Sequence, residues 1–360
     1  MSVRSFPRAP EPVRIEHRDE FACFGGICAV AVTDGDRTAD AAVAVAMSRS
    51  AMKNWHQRFS RFVPDSEISR LNRDPRVRVP ASPLMRRLVS VALDAARRTG
   101  GLVDATLGAE IVRAGYSHHF EGQGVPLDMA LRLAPPRSPA APNPSSAAAR
   151  MAVDDDNGTL QRPPGVMFDP GGIAKGVFAD ELSRMLDGFD AYAVDCAGDV
   201  RWGGSAGLLR DVHVASPFGR ETLHTFRLAH GAIATSGIGK RSWLDADGRP
   251  AHHLLDPRSG RPAFTGLVQA TALAPTAAEA ETLAKAAVLS GPAAAPGWLP
   301  HGGLFVREDG SYEVVRASGA AALDADEADV APVCAASHPR ISVSTSARSG
   351  SLRISWNRPG

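Results

Sequence analysis

The chain has 360 residues, enough for one large domain or two smaller ones, and its 40 basic and 39 acidic residues leave a formal net charge of +1. This balance is not that of a nucleic-acid or membrane-surface binder, so we expect neither partner. No run of about 18 apolar residues occurs, so we expect no membrane span. The N-terminus has no apolar signal-peptide segment or lipid-attachment cysteine, and the four cysteines form no zinc pattern. We therefore expect a cytoplasmic protein.

Hydrophobic spacing and turn signals divide the chain into an arm, one domain and a tail. We predict that residues 1–20 form a mobile arm, that residues 21–318 form the domain, and that residues 319–360 are disordered. Within the domain, residues 134–150 are rich in proline, serine and alanine and are predicted to form a flexible surface insertion. Helices are predicted at 38–59, 83–98, 174–186 and 276–289, strands at 27–33, 191–204, 212–215, 223–228 and 267–274, and a closing hairpin at 304–315.

The stretch FDPGGIAKGVFADEL, residues 168–182, predicts an anion site. Pro170 ends a short extended segment, and Gly171 and Gly172 allow backbone N–H groups to approach a ligand closely. The helix that follows directs its partial positive charge at the same place, and Lys175 adds a formal charge. The alternative is that the two glycines only begin a helix. The spacing is not that of a P-loop.

Three further stretches place polar residues where ligands are often contacted. Asp104 lies between apolar neighbours, where it contacts a ligand or caps the turn before Gly108. Residues 235–237, Thr-Ser-Gly, are predicted to form a turn. His252 and His253 precede a second Asp-Pro pair, but neither lies in the context of a zinc site.

Taken together, these stretches resemble the ApbE family of FAD:protein FMN transferases, from about residue 24 to residue 315. The resemblance implies an α+β fold with mixed or antiparallel sheets, flanking helices and two lobes that enclose FAD. It also implies transfer of FMN from FAD to a threonine hydroxyl of an acceptor protein, with Mg²⁺ and with release of AMP. It rests on an ordered series of motifs: FSRFVPDSEISRLN, GLVDATLG, DPGGIAKG, the strand with Gly198 and Asp199, ATSG, HHLLDPRSGRP and EAETLAK.

The resemblance implies which side chains contact FAD. Phe24 occupies the position of a methionine beside the flavin, and Phe62 that of a common tyrosine. Gly171, Gly172 and Lys175 are expected to hold the pyrophosphate. The remaining cofactor contacts expected from motif position are Leu102, Val103, Asp104, Thr235, Ser236, His253 and Leu255.

Two residues of the HHLLDPRSGRP motif are candidates for the chemistry. His253 matches the family's histidine and is our candidate base for the acceptor threonine, because an imidazole with an unperturbed pKa of about 6.5 suits that task. The alternative is a histidine that is only hydrogen-bonded in a loop. Asp256 follows three residues later, and we expect it to orient the turn more than to take part in catalysis.

The metal site departs from the family's pattern. The resemblance implies that a backbone carbonyl, here of Ala174, an aspartate and a threonine hydroxyl hold Mg²⁺. The last two positions are Glu281 and Lys285 here. Glutamate still binds Mg²⁺, but an ammonium has no acceptor atom. Either Lys285 turns aside and water replaces the hydroxyl, or the ammonium takes the place of the metal.

Three functions remain open on the sequence. The first is FAD:protein FMN transfer, whose partners are FAD and an acceptor protein that bears a threonine. The second is a carrier that binds FAD without transfer, and the third is a pyrophosphatase that splits FAD into FMN and AMP.

Overall fold

The computed structural model describes residues 14–34, 38–118, 124–318 and 353–355. Its helices are α1 (Thr38–Phe59), α2 (Glu67–Arg73), α3 (Pro83–Arg98), α4 (Gly108–Arg113), α5 (Leu127–Leu133), α6 (Ala174–Met185) and α7 (Ala277–Ser290). Its strands are β1 (Glu16–Cys23), β2 (Gly26–Thr33), β3 (Arg78–Pro80), β4 (Ala152–Asp154), β5 (Thr159–Gln161), β6 (Ala191–Cys196), β7 (Asp199–Gly203), β8 (Arg210–Ala215), β9 (Thr222–Leu228), β10 (Gly231–Gly237), β11 (Ser242–Leu244), β12 (Pro250–His252), β13 (Leu255–Asp256), β14 (Arg261–Pro262), β15 (Leu267–Ala274), β16 (Gly303–Arg307), β17 (Tyr312–Val315) and β18 (Arg353–Ser355).

Eight strands form the central sheet in the order β1-β2-β6-β7-β10-β15-β16-β17. Every neighbouring pair in this sheet is antiparallel. Helix α7 packs on β10 and β15, and α6 packs on β6 and β7. Every residue of β15 is buried, as expected for a strand at the centre of the core. The predicted α+β class is therefore confirmed.

Helices α6 and α7 approach each other closely at their N-termini. A Cβ atom at Gly176 would lie 2.6 Å from the carbonyl oxygen of Ala277, so only glycine fits there. The two helices also cap each other. Asp180 of α6 accepts hydrogen bonds from the N–H groups of Ala277 and Ala278, and Glu281 of α7 accepts one from the N–H of Gly176. These buried carboxylates satisfy amide groups that a helix start leaves open.

The N-terminal arm is shorter than predicted. Strand β1 begins at Glu16, so the prediction of an arm over residues 1–20 is wrong from that residue onward. Strand β1 pairs with β2 along its whole length, and its residues Phe21 and Cys23 are buried. Residues 1–13 lie outside the described residues.

The predicted disordered tail is corrected over a short stretch near its end. Residues 353–355 pair with β8 as strand β18. Residues 319–352 and 356–360 lie outside the described residues, so the prediction made for them stays a prediction.

Residues 134–150 do not form a free insertion. Ala140 is buried, and its N–H donates to the carbonyl of Leu289 at 2.8 Å. The N–H of Ala141 donates to Oδ1 of Asp256 at 2.9 Å. These backbone hydrogen bonds hold the segment on the domain. The prediction was wrong because the segment has no hydrophobic periodicity that would indicate such contacts.

Two local predictions are also corrected. Residues 191–204 form two strands because Ala197 and Gly198 adopt positive φ angles of 56° and 104° and reverse the chain between β6 and β7. Residues 235–237 form no turn. They continue β10, where Thr235 bonds Thr271 of β15 through their hydroxyl groups at 2.8 Å.

We predict that Asp180→Ala lowers the free energy of unfolding by about 2 kcal/mol, because two buried amide groups of α7 lose their acceptor. Urea unfolding measures the change. Asp187→Ala, at an exposed position just beyond α6, is the matched control and should change stability by less than about 0.5 kcal/mol. Equal stability of both variants would contradict the capping role of Asp180.

Candidate active site

A cavity gathers residues from most of the motifs described above. The space in the cavity, counted together with the open solvent at its mouth, is about 1310 Å³. Most of its wall is aromatic or aliphatic, as is usual for small-molecule sites. The charged side chains that line it are Arg61, Asp104, Asp169, Lys175, Arg241 and Lys285.

Asp169 fixes the glycine turn before α6 from two sides. Its Oδ1 accepts a hydrogen bond from the N–H of Gly171 at 2.9 Å, and its Oδ2 pairs with Nε of Arg61 at 2.9 Å. The Gly171 amide is therefore bonded inside the turn, although the residue lines the cavity, and its expected role in holding the pyrophosphate stays a prediction. Ala174 and Lys175, the first residues of α6, line the cavity and bring the positive end of the helix to it.

Phe24 is held in an unusual backbone conformation at one aromatic wall. It has a φ of 52° and Gly25 a φ of 74°, so the two residues form the tight turn between β1 and β2. A non-glycine residue in this left-handed region of backbone conformation is uncommon, and such residues cluster at functional sites. The Phe24 ring stacks on the Phe178 ring, with 5.3 Å between centroids. Trp55 also stacks on the Phe178 ring, with 5.2 Å between centroids.

Phe62 belongs to a second group of rings. It meets Tyr116 edge to face, with 5.4 Å between centroids. The guanidinium of Arg61 lies 4.1 Å from the Phe62 centroid and 4.8 Å from the Tyr116 centroid. Arg61 thereby joins this wall to the glycine turn, because the same side chain pairs with Asp169.

The tripeptide Leu102-Val103-Asp104 lines the cavity with two buried apolar side chains and one acid. Oδ1 of Asp104 accepts hydrogen bonds from both the N–H and the hydroxyl of Thr106 at 2.7 Å, which is the capping role. Oδ2 is buried and accepts no hydrogen bond from the described residues. Because a buried acceptor without a donor is costly, this oxygen is suited to a ligand N–H or hydroxyl.

The two neighbouring histidines occupy different environments. His252 is buried in the core, where its ring meets Phe264 at 4.7 Å and its Nδ1 accepts a hydrogen bond from the N–H of Leu254. His253 lines the cavity, and its Nδ1 is buried without a partner among the described residues.

Burial lowers the pKa of both rings. The pKa of His252 falls to about 3. The pKa of His253 is held well below its usual value by burial and by the nearby charge of Arg241. Near neutral pH the His253 ring is therefore uncharged.

Four charged side chains meet between α6, α7 and β7. Nζ of Lys175 donates to Oδ2 of Asp199 and lies 3.7 Å from Oε1 of Glu281. Nζ of Lys285 donates to the carbonyl oxygen of Gly172 at 2.7 Å. Lys285 therefore does not turn aside from the site. A Cβ atom at Gly172 would lie only 2.9 Å from Cε of Lys285, so a side chain there would displace the end of the lysine.

The four groups perturb one another. Burial and the charge of Glu281 raise the pKa of Asp199 to about 7, although Lys175 opposes the shift. Burial disfavours the Lys175 ammonium, but the carboxylates of Asp199 and Glu281 outweigh it and raise the pKa of Lys175. Burial lowers the pKa of Lys285; the charges of Glu281 and Asp199 oppose this shift, and the charge of Lys175 adds to it. An anion beside Lys285 would favour its charged form.

The residues of the expected metal site do not fit Mg²⁺, which requires oxygen ligands. Lys285 offers none, and the carbonyl of Gly172 already accepts its ammonium. Glu281 caps Gly176 and faces Lys175. Within the part of the chain that the structure describes, no three His, Cys, Asp or Glu residues are grouped to hold a metal ion. Ala174 lines the cavity, but Glu281, the carboxylate expected beside it, does not.

The structure brings together most, but not all, of the expected site residues. Thr235, Ser236, Asp256 and Glu281 do not line the cavity. Thr235 is bonded within the sheet, and both Asp256 oxygens hold the turn at residues 256–259. Sequence reasoning missed Arg61, Tyr116, Phe178 and Arg241, which do line it. Only Arg61 carried a signal, as a basic residue beside Phe62 in the FSRF segment.

The model of the ApbE family matches residues 24–305. The chain belongs to the ApbE family. Two similar curated relatives are both named FAD:protein FMN transferase. The one from Klebsiella pneumoniae is 28% identical over 67% of this chain and 69% of its own length. The one from Salmonella typhimurium is 29% identical over 62% of this chain and 64% of its own length.

Solved ApbE structures share the fold. The ApbE protein of Thermotoga maritima superposes with a TM-score of 0.66 at 26% identity, covering 83% of this chain and 97% of its own. The flavin transferase ApbE of Vibrio cholerae gives a TM-score of 0.66 at 19% identity, covering 85% and 98%. No helix among the described residues of this ApbE-family chain is long and apolar enough to cross a membrane.

The low pKa of the buried histidines predicts acid sensitivity. Below about pH 6.5 His252 binds a proton in the unfolded chain, whereas in the folded protein its pKa is about 3 and it stays neutral. The unfolded state is therefore favoured as the pH falls, so the free energy of unfolding is highest above about pH 6.5 and decreases below it. We expect His252→Gln to reduce the fall in unfolding free energy between pH 7 and pH 5 by about 2 kcal/mol.

Urea unfolding at the two pH values measures this difference. His118→Gln, at an exposed position, is the control and should keep the wild-type pH dependence. An unchanged pH dependence in His252→Gln would contradict the assignment of a buried neutral ring.

Proposed function

We propose that this protein is an FAD:protein FMN transferase, which moves FMN from FAD to a threonine hydroxyl of an acceptor protein and releases AMP. One observation carries the proposal: one cavity joins aromatic walls to a cationic end, and His253, whose buried Nδ1 has no partner among the described residues, lines it. FAD combines planar rings with a diphosphate, so its chemistry matches both parts of the cavity. The names of the relatives support the same function.

The chemistry is that of phosphoryl transfer. The threonine oxygen attacks the phosphorus attached to the riboflavin, and a new oxygen–phosphorus bond forms. The bond from that phosphorus to the bridging oxygen breaks, and AMP leaves with the electron pair. Because the reaction depends mainly on positioning and charge neutralisation, we expect the cations at the cavity to contribute more to the rate than the base does.

His253 is the candidate base in this reaction. The residue lines the cavity, its buried Nδ1 has no partner among the described residues, and its lowered pKa keeps the ring neutral. The hydroxyl proton of the threonine passes to this nitrogen as the new bond forms. Asp256, which holds the neighbouring turn, positions the loop and takes no proton.

The cofactor contacts follow from the same geometry. Phe24 and Phe62 supply faces for planar rings, and Leu102, Val103 and Leu255 supply apolar wall. Oδ2 of Asp104 accepts a hydrogen bond from the dinucleotide. We propose the acceptor protein and FAD as the partners, and the cytoplasmic location stays a prediction.

We predict that His253→Asn lowers the rate of FMN transfer by about 100-fold or more, because the threonine loses its base, while FAD affinity is kept. The purified protein is incubated with FAD and a purified candidate acceptor. Covalent flavin is detected by fluorescence in a denaturing gel, the modified threonine by mass spectrometry, and AMP by chromatography. His230→Asn, at an exposed position, is the matched control.

The products separate this function from its alternatives. Flavin fluorescence on the acceptor, absent when its threonine is replaced by valine, is the expected result. Free FMN and AMP without labelled acceptor would mean a pyrophosphatase. Bound FAD that stays intact would mean a carrier. A wild-type rate of transfer by His253→Asn would contradict the role of His253 as the base but would leave the proposed function standing.

A further inference from the structure

Two cations at the cavity form no ion pair with a carboxylate in the part of the chain that the structure describes. Arg61 pairs with Asp169, and Lys175 pairs with Asp199. Among the described residues neither Lys285 nor Arg241 forms an ion pair with a carboxylate, although both line the cavity. Their charges are therefore available to an anionic ligand.

Lys285 is held in place by a neutral group. One of its three N–H donors goes to the carbonyl of Gly172 at 2.7 Å, and no other described group accepts a hydrogen bond from it. The absence of a side chain at Gly172 makes room for the lysine stem, which passes 2.9 Å from where a Cβ would lie. The ammonium is thus fixed beside the glycine turn with two donors left for a ligand.

We propose that the ammonium of Lys285 binds a diphosphate oxygen of FAD as a built-in cation, so that this protein binds and cleaves FAD without a divalent metal ion. The inference rests on the proposed function. It accounts for a site in which the Gly172 carbonyl is occupied and both Glu281 oxygens face N–H donors of α6 and Lys175. A divalent ion placed there would meet the charges of two lysines.

The step balances as in the proposed transfer. The oxygen–phosphorus bond to threonine forms, the bond to the bridging oxygen breaks, and AMP leaves with the electron pair while the proton goes to His253. Lys285 exchanges no proton in this step. It offsets the negative charge that the phosphoryl oxygens carry in the transition state.

The test measures FAD binding, which needs no acceptor protein. Quenching of flavin fluorescence gives the Kd of FAD in EDTA and in Mg²⁺ for wild type, Lys285→Met, Lys285→Thr and the exposed control Lys53→Met. Riboflavin, which has no phosphate, is the ligand control. Thermal unfolding of each variant shows that it is folded.

We expect wild type and Lys53→Met to bind FAD equally well in EDTA and in Mg²⁺. Lys285→Met should raise the Kd of FAD about tenfold and leave that of riboflavin unchanged, because only the diphosphate loses its cation. Lys285→Thr restores an oxygen beside Glu281 and should bind FAD about fivefold more tightly in Mg²⁺ than in EDTA. Wild-type transfer activity should persist in EDTA.

The contrary results are distinct. Loss of wild-type FAD binding or transfer in EDTA, restored by Mg²⁺, would overturn the inference and leave the proposed function standing. An unchanged Kd of FAD in folded Lys285→Met would also overturn it. A wild-type protein that binds no FAD in either condition would overturn the proposed function, and the inference with it.

Discussion

A hydrogen bond between the ammonium of Lys285 and the carbonyl of Gly172 joins the two elements on which the cavity depends. Lys285 belongs to α7, which the central sheet fixes through β10 and β15. Gly172 belongs to the turn that begins α6, which Asp169 and Arg61 fix from the other side. Because the two supports are independent, the charged end of the cavity is held from both sides before any ligand binds, and we expect little ordering on binding.

This contact requires α6 and α7 to lie unusually close. Gly176 permits the approach, since any side chain there would collide with Ala277. The two helices then exchange caps, with Asp180 serving α7 and Glu281 serving α6. Glu281 is thereby committed to the fold, although its position in the motif suggests a metal ligand. The same geometry that stabilises the helix pair holds Oε2 of Glu281 on the N–H of Gly176 and leaves Oε1 3.7 Å from the Lys175 ammonium.

Sequence reasoning was accurate where local signals set the structure. Helices 38–59 and 83–98 have the predicted bounds, because apolar spacing and, for the second, Ser82 and Thr99 at its ends determine them. The predictions were wrong where tertiary contacts determine the structure. Residues 134–150 are held by partners more than a hundred residues away. The motifs gave the site's location, but not that Lys285 points at the Gly172 carbonyl.

The charge of a bound diphosphate explains why one lysine is not the whole replacement for a metal ion. The bridge carries about two negative charges, one for each phosphate. A divalent ion would supply two positive charges at one point, whereas Lys285 supplies one at a fixed point beside Gly172. Under the proposed replacement of the metal ion, the second comes from Arg241, which also lines the cavity without a carboxylate partner among the described residues. Its guanidinium offers two parallel donors to phosphate oxygens, a geometry that a metal ion does not provide. The protein thereby spreads over two side chains the charge that a metal would concentrate.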